Sequence, residues 1–235
     1  LILPNLSTAI NGAYAATETN LQTAYATADA AATIIAGSTI GTAVQNITNA
    51  LNSIVVSKDS SVFGYTDVYL EGDRVFGRTQ EVNQGNITAD ANAWKARSAL
   101  GLGASDAVFS LKNAGGIRAS LGSVLSDGSK VAPLANPITG KPAKGISLLD
   151  IENALRFDNK LMAFETTPTG LLAILNYAAG LSSGPSVQNG GYPQVGNIRF
   201  SYDSTLPAGQ KVRSAALVNE AGHVTARSEE HTSEL

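Results

Sequence analysis

The amino-acid sequence predicts an α+β protein, a mixed sheet with helices packed on it, preceded by a helical segment. Three observations carry this. Residues 1–56 are rich in Ala, Thr and Asn, hold only Glu18 and Asp29 as charges, and repeat apolar residues at spacings of three and four. From Val62 onward, short strand-like runs take turns with segments of helical period. Hydrophobic residues make up 43% of the 235, enough to build a core and to set aside a disordered chain.

In order along the chain, Leu21, Tyr25, Ala28, Ala32 and Ile35 lie on one helical face, and Val44, Ile47, Leu51 and Ile54 repeat it after a break at Gly37 and Gly41. This reads as two amphipathic helices in an antiparallel hairpin. The same composition is also that of a low-complexity linker. Val68, Tyr69 and Leu70 read as a strand ended by Glu71, Gly72 and Asp73. Residues 86–99 read as a helix with Ile87, Ala91 and Trp94 inward, and 107–111 as a short buried strand. Residues 122–145, rich in Gly, Pro and Ser, form a loop of the length often given to function. Residues 147–155 read as a helix with Ser147 as N-cap and Asp150 in the first turn. A strand at 161–164 precedes a helix at 169–181 that turns Leu172, Leu175 and Ala179 to one side, and 197–202 and 212–218 are strands.

Composition excludes several chemistries. The chain has no cysteine, hence no disulfide, thiolate nucleophile or cysteine metal site. Its only histidines are His223 and His231, a poor supply for a hydrolytic metal centre or a Ser-His-Asp triad. The net charge of −3 is no basis for holding DNA or RNA by its phosphates, so sequence-specific nucleic-acid binding is not expected. No apolar run is long enough to span a bilayer. Residues 227–235 read as the in-frame translation of a sequencing adapter, an artefactual tail left out of fold reasoning. The first residue is not Met and no signal peptide is visible, so the chain reads as a fragment.

Three segments carry chemical information. Arg74 and Arg78 stand four apart, which in an extended segment puts both guanidinium groups on one side, where paired forks suit a phosphate or carboxylate. Taken alone, the pair also fits two solvated surface arginines. Asn113, Ala114, Gly115, Gly116, Ile117 and Arg118 follow a buried strand, so the glycines allow a close backbone approach and Arg118 projects from the strand's carboxyl end. An ordinary Gly-Gly turn has the same look. Phe157, in a loop with Asn159, is either a stacking plate for a base or a core anchor.

In this order the three are more specific. Residues 62–213 resemble the C-terminal domain of the 5′-nucleotidase family, of the large secreted bacterial metallophosphatase/5′-nucleotidase type. The resemblance rests on residues 72–74, 78–86, Asp90 and Ala91, 113–118, 145–147 with Asp150, Phe157 with Asn159, Thr169 and Gly170, and 192–200. It implies domains at 1–56 (helical segment or linker), 62–226 (incomplete C-terminal domain) and 227–235 (tail). It implies that Arg74, Arg78 and Arg118 meet the phosphate and ribose of a nucleotide, that Asn113 and Asn159 make polar contacts to the nucleoside beside Gly115 and Gly116, and that Phe157 is an aromatic plate for the base. The chain then carries no catalytic or metal-ligating residue. Two divalent metal ions and the hydrolysis belong to a missing N-terminal domain of the parent, which is the fragment's natural partner.

The function implied is nucleotide binding on behalf of a secreted or periplasmic phosphoesterase, with this fragment inactive alone. The alternative is a non-catalytic nucleotide-binding or adhesion module of the same fold. Related phosphoesterases acting on cyclic nucleotides, nucleotide sugars or DNA would present a similar domain. A truncated domain is expected to be marginally stable.

Overall fold

The computed structural model describes residues 32, 33, 36–181, 187–219 and 221–228. The chain divides into two compact units, Leu1–Lys58 and Asp59–Leu235. In the first, the described structure is helix α1 (Thr39–Ser60), which bears the expected periodicity and leaves Val44, Ile47, Leu51 and Ile54 exposed. Of the helix expected at 21–35, only residues 32 and 33 are described, both helical; the rest, and with it the hairpin, lies outside the described residues.

The second unit is α+β, as the sequence predicts. It runs β1 (Val62–Tyr65), α2 (Arg74–Gly77), α3 (Asn83–Leu100), β2 (Ser110–Asn113), a 3₁₀ turn (Ala114–Gly116), β3 (Ser123–Val124), β4 (Lys130–Val131), β5 (Gly145–Ser147), α4 (Leu148–Ala154), α5 (Pro168–Ala179), β6 (Pro193–Gly196), β7 (Ile198–Tyr202), β8 (Val212–Val218) and β9 (Val224–Arg227). In place of one mixed sheet, the described strands form small antiparallel sheets, β1–β5, β2–β6, β3–β4 and β7–β8–β9. Strands of two to seven residues return as hairpins or as distant segments running the opposite way, and the α-helices do not act as parallel crossovers.

The core sits where α5 packs on the β7–β8 sheet. Leu171 and Leu175 meet Ile198, with Phe109, Leu111, Val195, Phe200, Ala215 and Leu217 packed around them. Thr167 caps α5 through the Gly170 N–H at 3.1 Å, and Pro168 at the first helical position loses no hydrogen bond. Leu171, one residue before the expected Leu172, is the buried one. Ser147 and Asp150 form the expected cap of α4 as a reciprocal box.

Several local expectations are corrected. Residues 68–70 are not a strand: the Thr66 hydroxyl accepts from the Val68 N–H at 3.2 Å and turns the chain, and only Leu70 bridges, to Leu121. Residues 161–164 have no partner strand among the described residues, and Met162 and Phe164 are exposed. The strand expected at 107–111 begins at Ser110. Residues 74–77 are helical rather than extended, because the Asp73 carboxylate caps the Val75 N–H at 2.7 Å. In α3 the inward residues are Gly85, Ala89 and Ala93, while Ile87 and Trp94 are exposed. The cause is the closeness of β6: a Cβ on Gly196 would lie 2.7 Å from the Ala89 backbone, so only small residues fit between helix and strand.

The 122–145 loop contains the β3–β4 hairpin and is pinned at both ends. Lys130 pairs with Glu71 and lies over the rings of Tyr69 and Phe76 at 5.1 and 4.9 Å. Farther on, Thr139 and Asn136 donate to Asp59 Oδ2 at 2.6 and 3.0 Å, and Ser147 donates to Oδ1 at 2.8 Å. Lys141 bridges Asp59 and Asp150, 3.0 Å from each.

Asp59 is 3% exposed, and burial by itself pushes its carboxyl up. The hydrogen bonds from Thr139, Lys141 and Ser147 outweigh this and hold it at about 2, against an ordinary 3.8. Because the folded value lies below the unfolded one, the stabilisation is fully present above pH 3.8 and is lost as pH falls towards 2. It amounts to about 2 kcal/mol. Urea unfolding at a series of acid pH values is expected to show this loss, and Asp59→Asn to flatten it; an unchanged acid slope in that variant would refute the assignment.

Candidate functional site

The helical turn α2, the 3₁₀ turn and the loop after α4 bring three arginines together. Arg74 opens α2 and Arg78 ends it, so helical i, i+4 spacing puts them on one face, as the extended reading also did. Arg118 follows the 3₁₀ turn, and its N–H donates to the Ala154 carbonyl at 2.8 Å, tying this segment to the end of α4. The loop that leaves α4 carries Phe157, and the Arg118 guanidinium lies 5.4 Å from its ring centroid. Phe157 is 48% exposed, so it is not a core anchor.

The electrostatics are one-sided. Burial first, then the charges of Arg74 and Arg118, push the Arg78 guanidinium below its ordinary value. Arg78 Nε is buried with no partner among the described residues. No ion pair to a carboxylate offsets these charges among the described residues. Three cations converge here, one with an unused buried donor, an arrangement of a kind that suits an anion.

Gly115 is closely packed: its N–H donates to the Gly190 carbonyl at 2.8 Å, and a Cβ there would lie a tight 3.0 Å from the same oxygen. Gly116 has nothing nearer than 3.5 Å to such a Cβ and is not sterically demanded. Asn113 reaches the Gly190 carbonyl at 3.4 Å. Asn159 is exposed, two residues beyond Phe157.

Two residues were missed as supports. Gln194 is fully buried; its Nε2 donates to the carbonyls of Gly77 and Gln80, both at 2.9 Å, and its Oε1 accepts from Val82 N at 3.1 Å. It therefore fixes the loop that continues from Arg78. Gln84, also fully buried, donates to the Ala119 carbonyl at 2.8 Å and accepts from Leu121 N at 3.2 Å, fixing the segment after Arg118. The only sequence signal was a glutamine on each of two elements that must bury a face.

Among the described residues no group of three or more His, Cys, Asp or Glu could hold a metal ion, and no helix is long and apolar enough to cross a membrane.

The second unit is thus an α+β domain that gathers three arginines beside an exposed aromatic ring. Residues 62–229 match the family described as 5′-nucleotidase, C-terminal domain, and the chain belongs to that family. It is 32% identical over 162 residues to the trifunctional nucleotide phosphoesterase protein YfkN of Bacillus subtilis (strain 168), a match covering 68% of this chain and 9% of that protein. A crystal structure of a 5′-nucleotidase precursor from Thermus thermophilus shares the fold, with a TM-score of 0.53 at 24% identity over 79% of this chain and 31% of that one. The Haemophilus influenzae NAD nucleotidase aligns with a TM-score of 0.48 at 16% identity, over 79% of this chain and 29% of its own.

Proposed function

We propose that the second unit binds a nucleotide for a phosphoesterase whose hydrolytic chemistry lies in another domain. The observation that supports this best is the cluster of Arg74, Arg78 and Arg118, with no offsetting carboxylate among the described residues, beside the exposed ring of Phe157. In this reading the guanidinium groups take the phosphate and ribose, and Phe157 takes the base with little preference among bases. Asn113 and Asn159 contact the nucleoside, and Gly115 and Gly116 let the backbone come close. The parent enzyme is a secreted or periplasmic hydrolase of nucleotide phosphate esters. Two divalent metal ions in a preceding domain would supply Lewis-acid activation of the phosphate. This chain by itself is inactive.

Calorimetric titration of the 235-residue chain with AMP, adenosine and inorganic phosphate tests the binding role. AMP is expected to bind more tightly than either part, and its binding to weaken with added salt. Equal affinity for AMP and adenosine would remove the phosphate role from the arginines. Hydrolysis of AMP by this chain with added divalent metal would overturn the division of labour.

A further inference from the structure

A cleft of about 340 Å³, the size of a small-molecule site, is lined by none of the residues of the arginine cluster. One wall is a single face of α3, where Asn86, Asp90 and Trp94 follow at four-residue spacing, with Glu81 just before the helix. Asn197 and Arg199 line the opposite wall.

The wall on α3 is rich in acceptors. Asn86 Nδ2 donates to Glu81 Oε1 at 2.7 Å, which sets the amide's orientation and leaves Oδ1 buried with no donor among the described residues. Buried acceptors are rarely left unpaired, so this one calls for a donor from outside. Burial pushes the Asp90 carboxyl above the usual range, against a hydrogen bond from the Asn197 backbone. No cation among the described residues pairs with Asp90. Arg199 instead lies against the turn at Gly222, with Nη2 3.2 Å from where a Cβ would stand. Trp94, expected inward from the sequence, is 63% exposed and presents its indole to the cleft's lining.

We infer that this cleft binds an organic cation rich in N–H donors, an alkylguanidinium group, with Asn86 Oδ1 and the carboxylates of Asp90 and Glu81 as acceptors and the Trp94 ring as an aromatic face. A guanidinium supplies planar forked donors for several acceptors at once, and indole is the strongest of the aromatic faces for a cation. The two lining carboxylates outnumber the one lining cation, Arg199, so the cleft differs in sign from the arginine cluster, and it shares no residue with that cluster.

Trp94 is the chain's one tryptophan, so intrinsic fluorescence reports on this cleft. The probe is argininamide, with citrullinamide, whose urea replaces the guanidinium, as the matched control. Argininamide is expected to give a saturable change, and citrullinamide to bind about tenfold more weakly. Asp90→Asn should weaken argininamide by about tenfold as well. AMP should leave the argininamide isotherm in place. Absence of saturation, equal binding of the two probes, an unaltered isotherm in the folded variant, or displacement by AMP would each overturn the assignment. Should the variant fail to fold, the comparison of the two probes on the native chain still decides.

Discussion

Gly85→Ala is expected to destabilise the domain by about 3 kcal/mol, and so to lower its melting temperature by about 6–12 °C. Helix propensity alone predicts the reverse, since alanine is favoured over glycine in a helix interior by about 1 kcal/mol. Contact decides the sign. A Cβ at position 85 would lie 2.1 Å from Gln194 Oε1 and 2.4 Å from its Cδ. The Gln194 amide cannot swing aside without releasing Gly77 O, Gln80 O and Val82 N together. Of these, the groups of the buried Gly77 and Val82, left unpaired, would cost about 1–3 kcal/mol each. Gln194→Ala removes the obstructing side chain, so adding Gly85→Ala to it should cost far less than in the native chain. Thermal melts and urea titrations of the two single variants and the double variant measure this coupling. A Gly85→Ala protein that melts at or above the native temperature would show that the amide is not locked.

The same contact explains why some of the fold was legible in the sequence and some was not. Capping at Ser147 and the alternation within the strands at 197–202 and 212–218 depend on side chains a few residues apart, and these elements were read correctly. The face of α3 depends on how near a distant strand comes. Periodicity favoured Ile87 and Trp94 as the inward residues, but Gly196 approaches the Ala89 backbone so closely that only glycine and alanine fit there. Strand expectations at 68–70 and 161–164 failed for a related reason: an apolar run becomes a strand only where a neighbour supplies the ladder.

For the candidate site, order and residue type singled out the arginines and Phe157, and the fold brings them together. Their convergence depends on links such as that from Arg118 N–H to Ala154 O, which spacing does not reveal. Gln84 and Gln194 were invisible as supports because their partners are backbone groups, and a backbone group has no residue type to recognise.

Arg78→Met is expected to weaken AMP binding by about 100-fold while leaving the melting temperature unchanged or raised. The loss of affinity follows from removing donors to a charged phosphate, worth about 3 kcal/mol in total. The effect on stability follows from the free protein. There the Arg78 guanidinium is pushed down by burial and by Arg74 and Arg118, and its Nε has no partner among the described residues. In the absence of ligand this charge works against the fold, and methionine keeps most of the apolar stem that packs. Adenosine, which has no phosphate, should bind the variant as it binds the native chain. Arg118→Met should behave differently, because it also removes the cation from the Phe157 ring, 5.4 Å away, and so weakens adenosine as well as AMP. Titrations with AMP and adenosine, paired with thermal melts, separate these effects. A variant at position 78 that loses several degrees of stability and keeps native AMP affinity would make the arginine a structural element and end the phosphate reading.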